Sequence, residues 1–198
     1  MLVTKKAPNF TAAAVLASNE IVDSFELYKN IGKNGAVVFF WPLDFTFVCP
    51  SEIIAFDKRV KNFEERGIKV IGVSVDSEYT HFAWKNTPVN EGGIGSVTFP
   101  MVADKDKSIS RSFDVLFNES VALRGSFLID KNCTIRHAVI NDLPLGRNVD
   151  EMIRMVDALL FHEEHGEVCP AGWNKGDTGM KADAKGVADY LAKNKDKL

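Results

Sequence analysis

The chain has 198 residues, 45% of them hydrophobic, with a formal net charge of −3 and a sequence pI near 5.8. That is enough apolar material for one buried core, and the slight negative balance gives no general attraction to nucleic acid or to anionic membrane. No stretch approaches the ~18–20 consecutive apolar residues of a membrane span, and three cysteines are too few for a disulfide-stapled secreted domain.

Near the start, Lys5 and Lys6 precede NFTAAAVLAS, which loosely imitates a signal peptide. The run is short, alanine-rich and interrupted by Pro8, Asn9 and Thr11, so it reads as a first strand of a cytoplasmic protein. GAVVFFW (35–41) is a continuous apolar run rich in β-branched and aromatic residues, as expected of a strand buried on both faces. From Pro50 the period changes: Ile53, Phe56, Val60 and Phe63 form a helix stripe that Gly67 stops. IKVIGVSVD (68–76) is a second buried strand, SEYTHFAWKN (77–86) a short helix, 91–100 a loop and KDKSISRSFDV (105–115) a helix. VALRGSFLID (121–130) and CTIRHAVIN (133–141) flank the turn signal Lys131-Asn132 and predict an antiparallel hairpin.

Asn148, with Glu151 three residues on, resembles a capping box opening a long helix whose Val149, Ile153, Val156 and Leu160 share a face. Beyond Gly166 an extended C-terminal arm is expected, closing on KNKDKL as a frayed, solvated tail. Strand–helix–strand order, then a hairpin and a covering helix, predicts an α/β domain over 1–165 with a mixed sheet flanked by helices, and an arm over 166–198.

Cys49 stands where a strand hands over to a helix, next to Pro50 in the favoured first turn. Unpaired amides and the positive end of the helix dipole face such a sulfur and favour its thiolate, the nucleophilic form. Composition alone fits a small buried hydrophobe better. Two features shift the balance: open α/β sheets place their sites at the C-terminal ends of strands, and Thr46 sets a hydroxyl inside an otherwise apolar FTFV. Glu52 occupies the position where a dithiol oxidoreductase would carry the second cysteine of C-x-x-C. A partner thiol for Cys49 is therefore not local.

The residues Pro42-Leu43-Asp44-Phe45-Thr46-Phe47-Val48-Cys49 fit the P-x-x-x-T-x-x-C signature of peroxiredoxins. The longer PLDFTFVCPSEIIAF, with VALRGSFLID, NDLPLGRNVDE and GEVCPAGW in the same order, resembles the typical two-cysteine class, over residues 7 to 175. The resemblance implies a thioredoxin-like fold and a thiol peroxidase using no cofactor and no metal. Cys49 would attack the O–O bond of a hydroperoxide and become a sulfenic acid. Thr46 matches the hydroxyl that bonds the peroxide, Arg124 the arginine that steadies thiolate and peroxide, and Pro42 the proline that shields the sulfur from water. Glu52 resembles the carboxylate that orients the arginine, and Arg147 a second supporting arginine. Cys169 matches the resolving cysteine, supplied in that class by the neighbouring subunit, which implies a homodimer and commonly a decamer. Cys133 has no counterpart and reads as structural.

Other signals carry less. HEEHGEVC sets His162, His165 and Cys169 near one another, but H-E-x-x-H needs one more residue between the histidines, so a zinc site is not supported. GGIG (92–95) is no nucleotide fingerprint. In the family a Gly-Gly-x-Gly loop acts with a C-terminal Tyr-Phe to raise sensitivity to over-oxidation; Tyr190-Leu191 departs from that pair and implies intermediate sensitivity. The tail running past residue 175 resembles members re-reduced by thioredoxin more than those served by a dedicated flavoprotein reductase. An oligomeric holdase chaperone is the alternative from another class.

Overall fold

A computed structural model gives the fold and describes residues 1–195, so the last three residues of the KNKDKL tail lie outside the described residues. The chain forms two compact units, 1–149 and 150–198. The first is built on β1 (Thr11–Val15), β2 (Ile21–Glu26), β3 (Gly35–Phe40), β4 (Ile68–Ser74), β5 (Met101–Ala103), β8 (Arg124–Asp130) and β9 (Ile135–Asn141), with a small side hairpin of β6 (Leu116–Phe117) and β7 (Val121–Ala122). The seven strands of the main sheet lie in the order β2-β1-β5-β4-β3-β8-β9. β3, β4 and β5 are parallel, and the remaining pairs antiparallel, giving the mixed sheet expected.

β3 lies inside the sheet and is buried at every residue. Its pleat sends Ala36, Val38 and Phe40 into a core with Phe25, Ile71, Phe113 and Phe127. Phe39 and Trp41 point the other way, where Phe39 stacks on Phe56 at 4.0 Å and meets Phe99 edge-on. Gly72 on β4 allows this side to close: a Cβ there would stand 2.7 Å from the Trp41 ring. In the β8–β9 hairpin, Arg124 pairs with Asn141, and the register shifts between Leu128 and Ile129, so that Leu128 faces His137 while Ile129 faces Ile135. The bulge leaves one residue of β9, Arg136, unpaired between these two rungs.

The single helix expected after Pro50 is two, α1 (Cys49–Asp57) and α2 (Val60–Glu65). At the break the Arg59 amide donates to Phe56 O, and its guanidinium donates to Ala55 O. The predicted stripe still buries Ile53, Phe56, Val60 and Phe63 across the break, which is why periodicity could not reveal it. α3 (Glu78–Lys85) opens on Ser77, whose Oγ accepts from the Thr80 amide. The helix expected over 105–115 shrinks to α4 (Ser108–Ser112), since Lys107 adopts φ +63° ahead of it. Cys133, expected to start a strand, sits in the turn before β9 with φ +61°.

α5 (Val149–His165) opens directly after Asn148 and from Asp150 onward belongs to the second unit. Its deepest residues are Val149, Met152, Val156 and Leu159, a stripe turned by one position from the expected Ile153 and Leu160, which are half-buried. The arm expected to be extended contains α6 (Ala184–Asn194), capped by Asp183, whose carboxylate accepts from the Gly186 amide. Among the described residues no helix is long and apolar enough to cross a membrane.

Candidate active site

The topology of the first unit gathers residues that are far apart in sequence. β3 ends at Phe40 and passes through Trp41 and a buried Pro42 into a loop over 42–48, from which α1 rises at Cys49. Cys49, Glu52, Ile53 and Phe56 form the buried face of α1, and the stacking of Phe56 on Phe39 fastens that face to β3. Because β8 runs antiparallel to β3, its first residue, Arg124, arrives at the same end of the sheet.

Cys49 is 1% exposed. Its Sγ lies 3.0 Å from Thr46 Oγ1, whose single proton serves either the sulfur or Leu43 O at 2.8 Å. Arg124 Nη1 donates to Sγ at 3.4 Å and to Glu52 Oε2 at 2.6 Å, and its Nε donates to Leu143 O at 2.6 Å. Glu52 is clamped from its other side by Arg147. The backbone amide and Nε of Arg147 donate to Oε1 at 2.8 Å each, and Nη2 donates to Oε2 at 3.1 Å. Arg147 also donates to Gly125 O and lies over the rings of Phe39 and Phe56. Burial alone would raise the Glu52 carboxyl, but the hydrogen bonds and charge of Arg147, joined by the charge of Arg124, hold it below the ordinary carboxylate value. Burial likewise opposes the charge on Arg124, yet the hydrogen bond to Cys49 and the charge of Glu52 raise it above the usual guanidinium value.

A buried sulfur flanked by a hydroxyl and a fixed cation is suited to nucleophilic attack on an electron-poor oxygen, with both donors placed to hold the departing charge. Thr46, Arg124, Glu52 and Arg147 thus gather around Cys49, and Pro42 marks the loop entrance. Cys169 belongs to the second unit, just after a β-bridge partner of Met180. Its Sγ donates to Ala158 O at 3.4 Å, and burial pushes its thiol up against the opposing pull of Arg154. All three cysteines are free. His162 Nδ1 bonds to Glu167 O and His165 Nδ1 to Phe161 O.

A second network was not anticipated from the sequence. Asp44 Oδ1 accepts from Trp41 Nε1 at 2.8 Å, and Oδ2 lies 2.7 Å from Nδ1 of the fully buried His81 on α3. The Asp44 amide donates to Asp76 Oδ2, which also accepts from Ser74 Oγ. Burial first, then the negative charge of Asp44, push the Asp76 carboxyl up. This network pins the middle of the loop that carries Thr46. The next residue, Phe45, adopts φ +53°, a conformation that disfavours a bulky residue, and its ring lies 5.7 Å from that of Trp84.

Residues 3–138 match the AhpC/TSA family, and residues 158–193 match the C-terminal domain of 1-Cys peroxiredoxin. An alkyl hydroperoxide reductase C of Helicobacter pylori is 74% identical over 198 residues, covering 100% of both chains. Peroxiredoxin-2 of Mus musculus is 48% identical over 195 residues, covering 97% of this chain and 96% of its own. Among solved structures, the reduced 2-Cys peroxiredoxin of Plasmodium vivax superposes with a TM-score of 0.94 at 49% identity, covering 97% of this chain and 99% of its own. The fold is therefore thioredoxin-like. The chain belongs to the AhpC/TSA family as a two-cysteine peroxiredoxin, a peroxidase oxidoreductase.

Proposed function

We propose that Cys49 is the peroxidatic thiol and Cys169, from a second copy of the chain, its resolving partner. The observation that carries this reading is the convergence of Thr46 Oγ1 and Arg124 Nη1 on one buried sulfur. The Cys49 thiolate attacks the distal oxygen of a hydroperoxide ROOH. An S–O bond forms as the O–O bond breaks, the alkoxide leaves with both bonding electrons, and protonation gives ROH. Arg124 and Thr46 stabilise the charge on the oxygens, and Pro42 keeps water from the sulfur. Glu52 and Arg147 fix the orientation of Arg124. The Cys169 thiolate then attacks the Cys49 sulfenic acid, releasing water and leaving an intersubunit disulfide. A dithiol of the thioredoxin type opens that disulfide by exchange, and the cycle runs in the cytoplasm without metal or organic cofactor.

Two features of the first unit support self-association. β9 ends the sheet with Ile140 46% exposed, and the loop and α3 expose Phe45, Phe47 and Phe82. We assign the first to a dimer and the second to assembly of dimers into larger rings. A related Plasmodium yoelii protein, modified at its N-terminus, forms an artifactual octamer.

The test is a non-reducing gel after one equivalent of peroxide. A covalent dimer is expected, absent from Cys49→Ser and from Cys169→Ser and retained in Cys133→Ser. Its loss in Cys133→Ser alone would transfer the resolving role to Cys133. A holdase activity, if present, survives Cys49→Ser while peroxide turnover does not.

A further inference from the structure

The loop over 142–147 supplies two of the contacts that set Arg124, and it is tied down from outside the peroxide site. Asn141, the last residue of β9, pairs with Arg124 across the hairpin. Its Nδ2 reaches two consecutive carbonyls, Leu145 O at 3.1 Å and Gly146 O at 3.3 Å. Asp142 shapes the start of the loop: its Oδ1 accepts from the Leu143 amide at 2.7 Å, and its carbonyl accepts from the Leu145 amide. So folded, the loop presents Leu143 O to Arg124 Nε and ends on the Arg147 amide, which donates to Glu52 Oε1. Glu52 in turn holds Arg124 Nη1, the nitrogen that faces Cys49. Both edges of the Arg124 guanidinium are therefore referred to one short loop.

We propose that Asn141 is a positioning residue for peroxide reduction, bracing residues 142–147 so that Arg124 stays aimed at the Cys49 sulfur. The inference rests on the assignment of Cys49 and Arg124 made above. Asn141 touches neither the sulfur nor the arginine side chain through any contact described, and it acts through the loop. Without its amide the loop keeps its sequence and its apolar side chains but loses the tie at 145–146, and Leu143 O no longer has a fixed place. An arginine with a wandering fork still supplies positive charge to the thiolate. It supplies poorly aligned donors to the peroxide oxygens, where alignment governs the rate.

The experiment compares two reactions of the reduced protein. Stopped-flow oxidation by hydrogen peroxide reads the aimed donors, while alkylation by iodoacetamide reads the thiolate alone. Asn141→Leu, similar in shape but without donors, should lower the peroxide rate constant about tenfold, equivalent to about 1.4 kcal/mol, and leave alkylation within twofold. Asn141→Gln, which restores an amide, should recover at least half of the loss. The proposal is overturned if peroxide oxidation of Asn141→Leu stays within twofold of the parent. It is equally overturned if both reactions slow together, or if Asn141→Gln is no faster than Asn141→Leu. A parent protein inert toward peroxide would instead remove the assignment of Cys49 itself.

Discussion

Glu52→Gln removes one charge and leaves the outline of the side chain intact, yet the geometry around it leaves no good alternative. Each carboxylate oxygen accepts from arginine: Oε1 from the amide and Nε of Arg147, Oε2 from Nη1 of Arg124 and Nη2 of Arg147. A glutamine has one oxygen, so its NH2 must face guanidinium donors whichever way it flips. Glu52, Arg124 and Arg147 are all below 5% exposed, so water cannot relieve the mismatch. Breaking a buried pair by removing one charge costs roughly 3–5 kcal/mol. For a chain of this length, at about 2–4 °C per kcal/mol, the melting temperature should fall by about 6–20 °C. Melting curves of reduced parent and variant at equal protein concentration give the comparison. The pH dependence adds a second check. A carboxyl held below its ordinary value stabilises the fold at pH above that ordinary value and loses the contribution as pH falls through the folded value. Parent and variant curves should therefore converge below about pH 4. A loss smaller than about 1 kcal/mol at pH 7, within the range of an exposed pair, would refute the view that Glu52 is the buried keystone between the two arginines.

Two further outcomes follow from buried titratable groups. Lys85 is 2% exposed, donates to Leu16 O at 2.6 Å and is lowered by burial to about 8, against the weaker pull of Asp57. The folded form thus binds this proton less tightly than the unfolded chain, so the ammonium costs stability at neutral pH, and the parent gains stability as pH rises from about 8 to 10. Lys85→Met should be more stable in urea at pH 7 by about 2–3 kcal/mol, with the gap narrowing by pH 9.5; a destabilised variant at pH 7 contradicts this. Cys169 is raised by burial, so the disulfide-forming step after single-turnover oxidation should quicken up to about tenfold per pH unit from 6 to 8. Arg154→Met, which removes the opposing charge, should slow that step, and a flat profile with no effect of Arg154→Met would exclude thiolate attack as rate-setting.

The parts of the fold written in strong local patterns were legible. The unbroken apolar run of β3 left no doubt about a central strand, and the change of period from Pro50 marked the start of α1 to within one residue. Short elements were not legible. β5 has three residues and is a strand because β4 and β1 flank it, a fact no window of sequence contains. α6 had a signal that was passed over, since Asp183 caps a run in which Val187, Tyr190 and Leu191 recur at helical spacing. Sequence motifs also named the residues that meet around Cys49. They did not reveal Asp44, His81 and Asp76, because a polar residue inside an apolar stretch looks like noise until topology places its partner 37 positions away beside it.

The bulge in the β8–β9 hairpin ties chemistry to strand bookkeeping at a distance. Side chains alternate faces at each step along a strand. Were Arg136 taken into the ladder instead, the Ile129–Ile135 register would continue unbroken, setting Ile140 against Arg124 and turning Asn141 away. The turn at 131–134 and the peroxide pocket thus share one reading frame. Loop grafts or deletions in that turn would have to preserve parity, and a protein that folds well but counts its rungs wrongly would be a peroxidase with the Asn141 brace facing away from its loop.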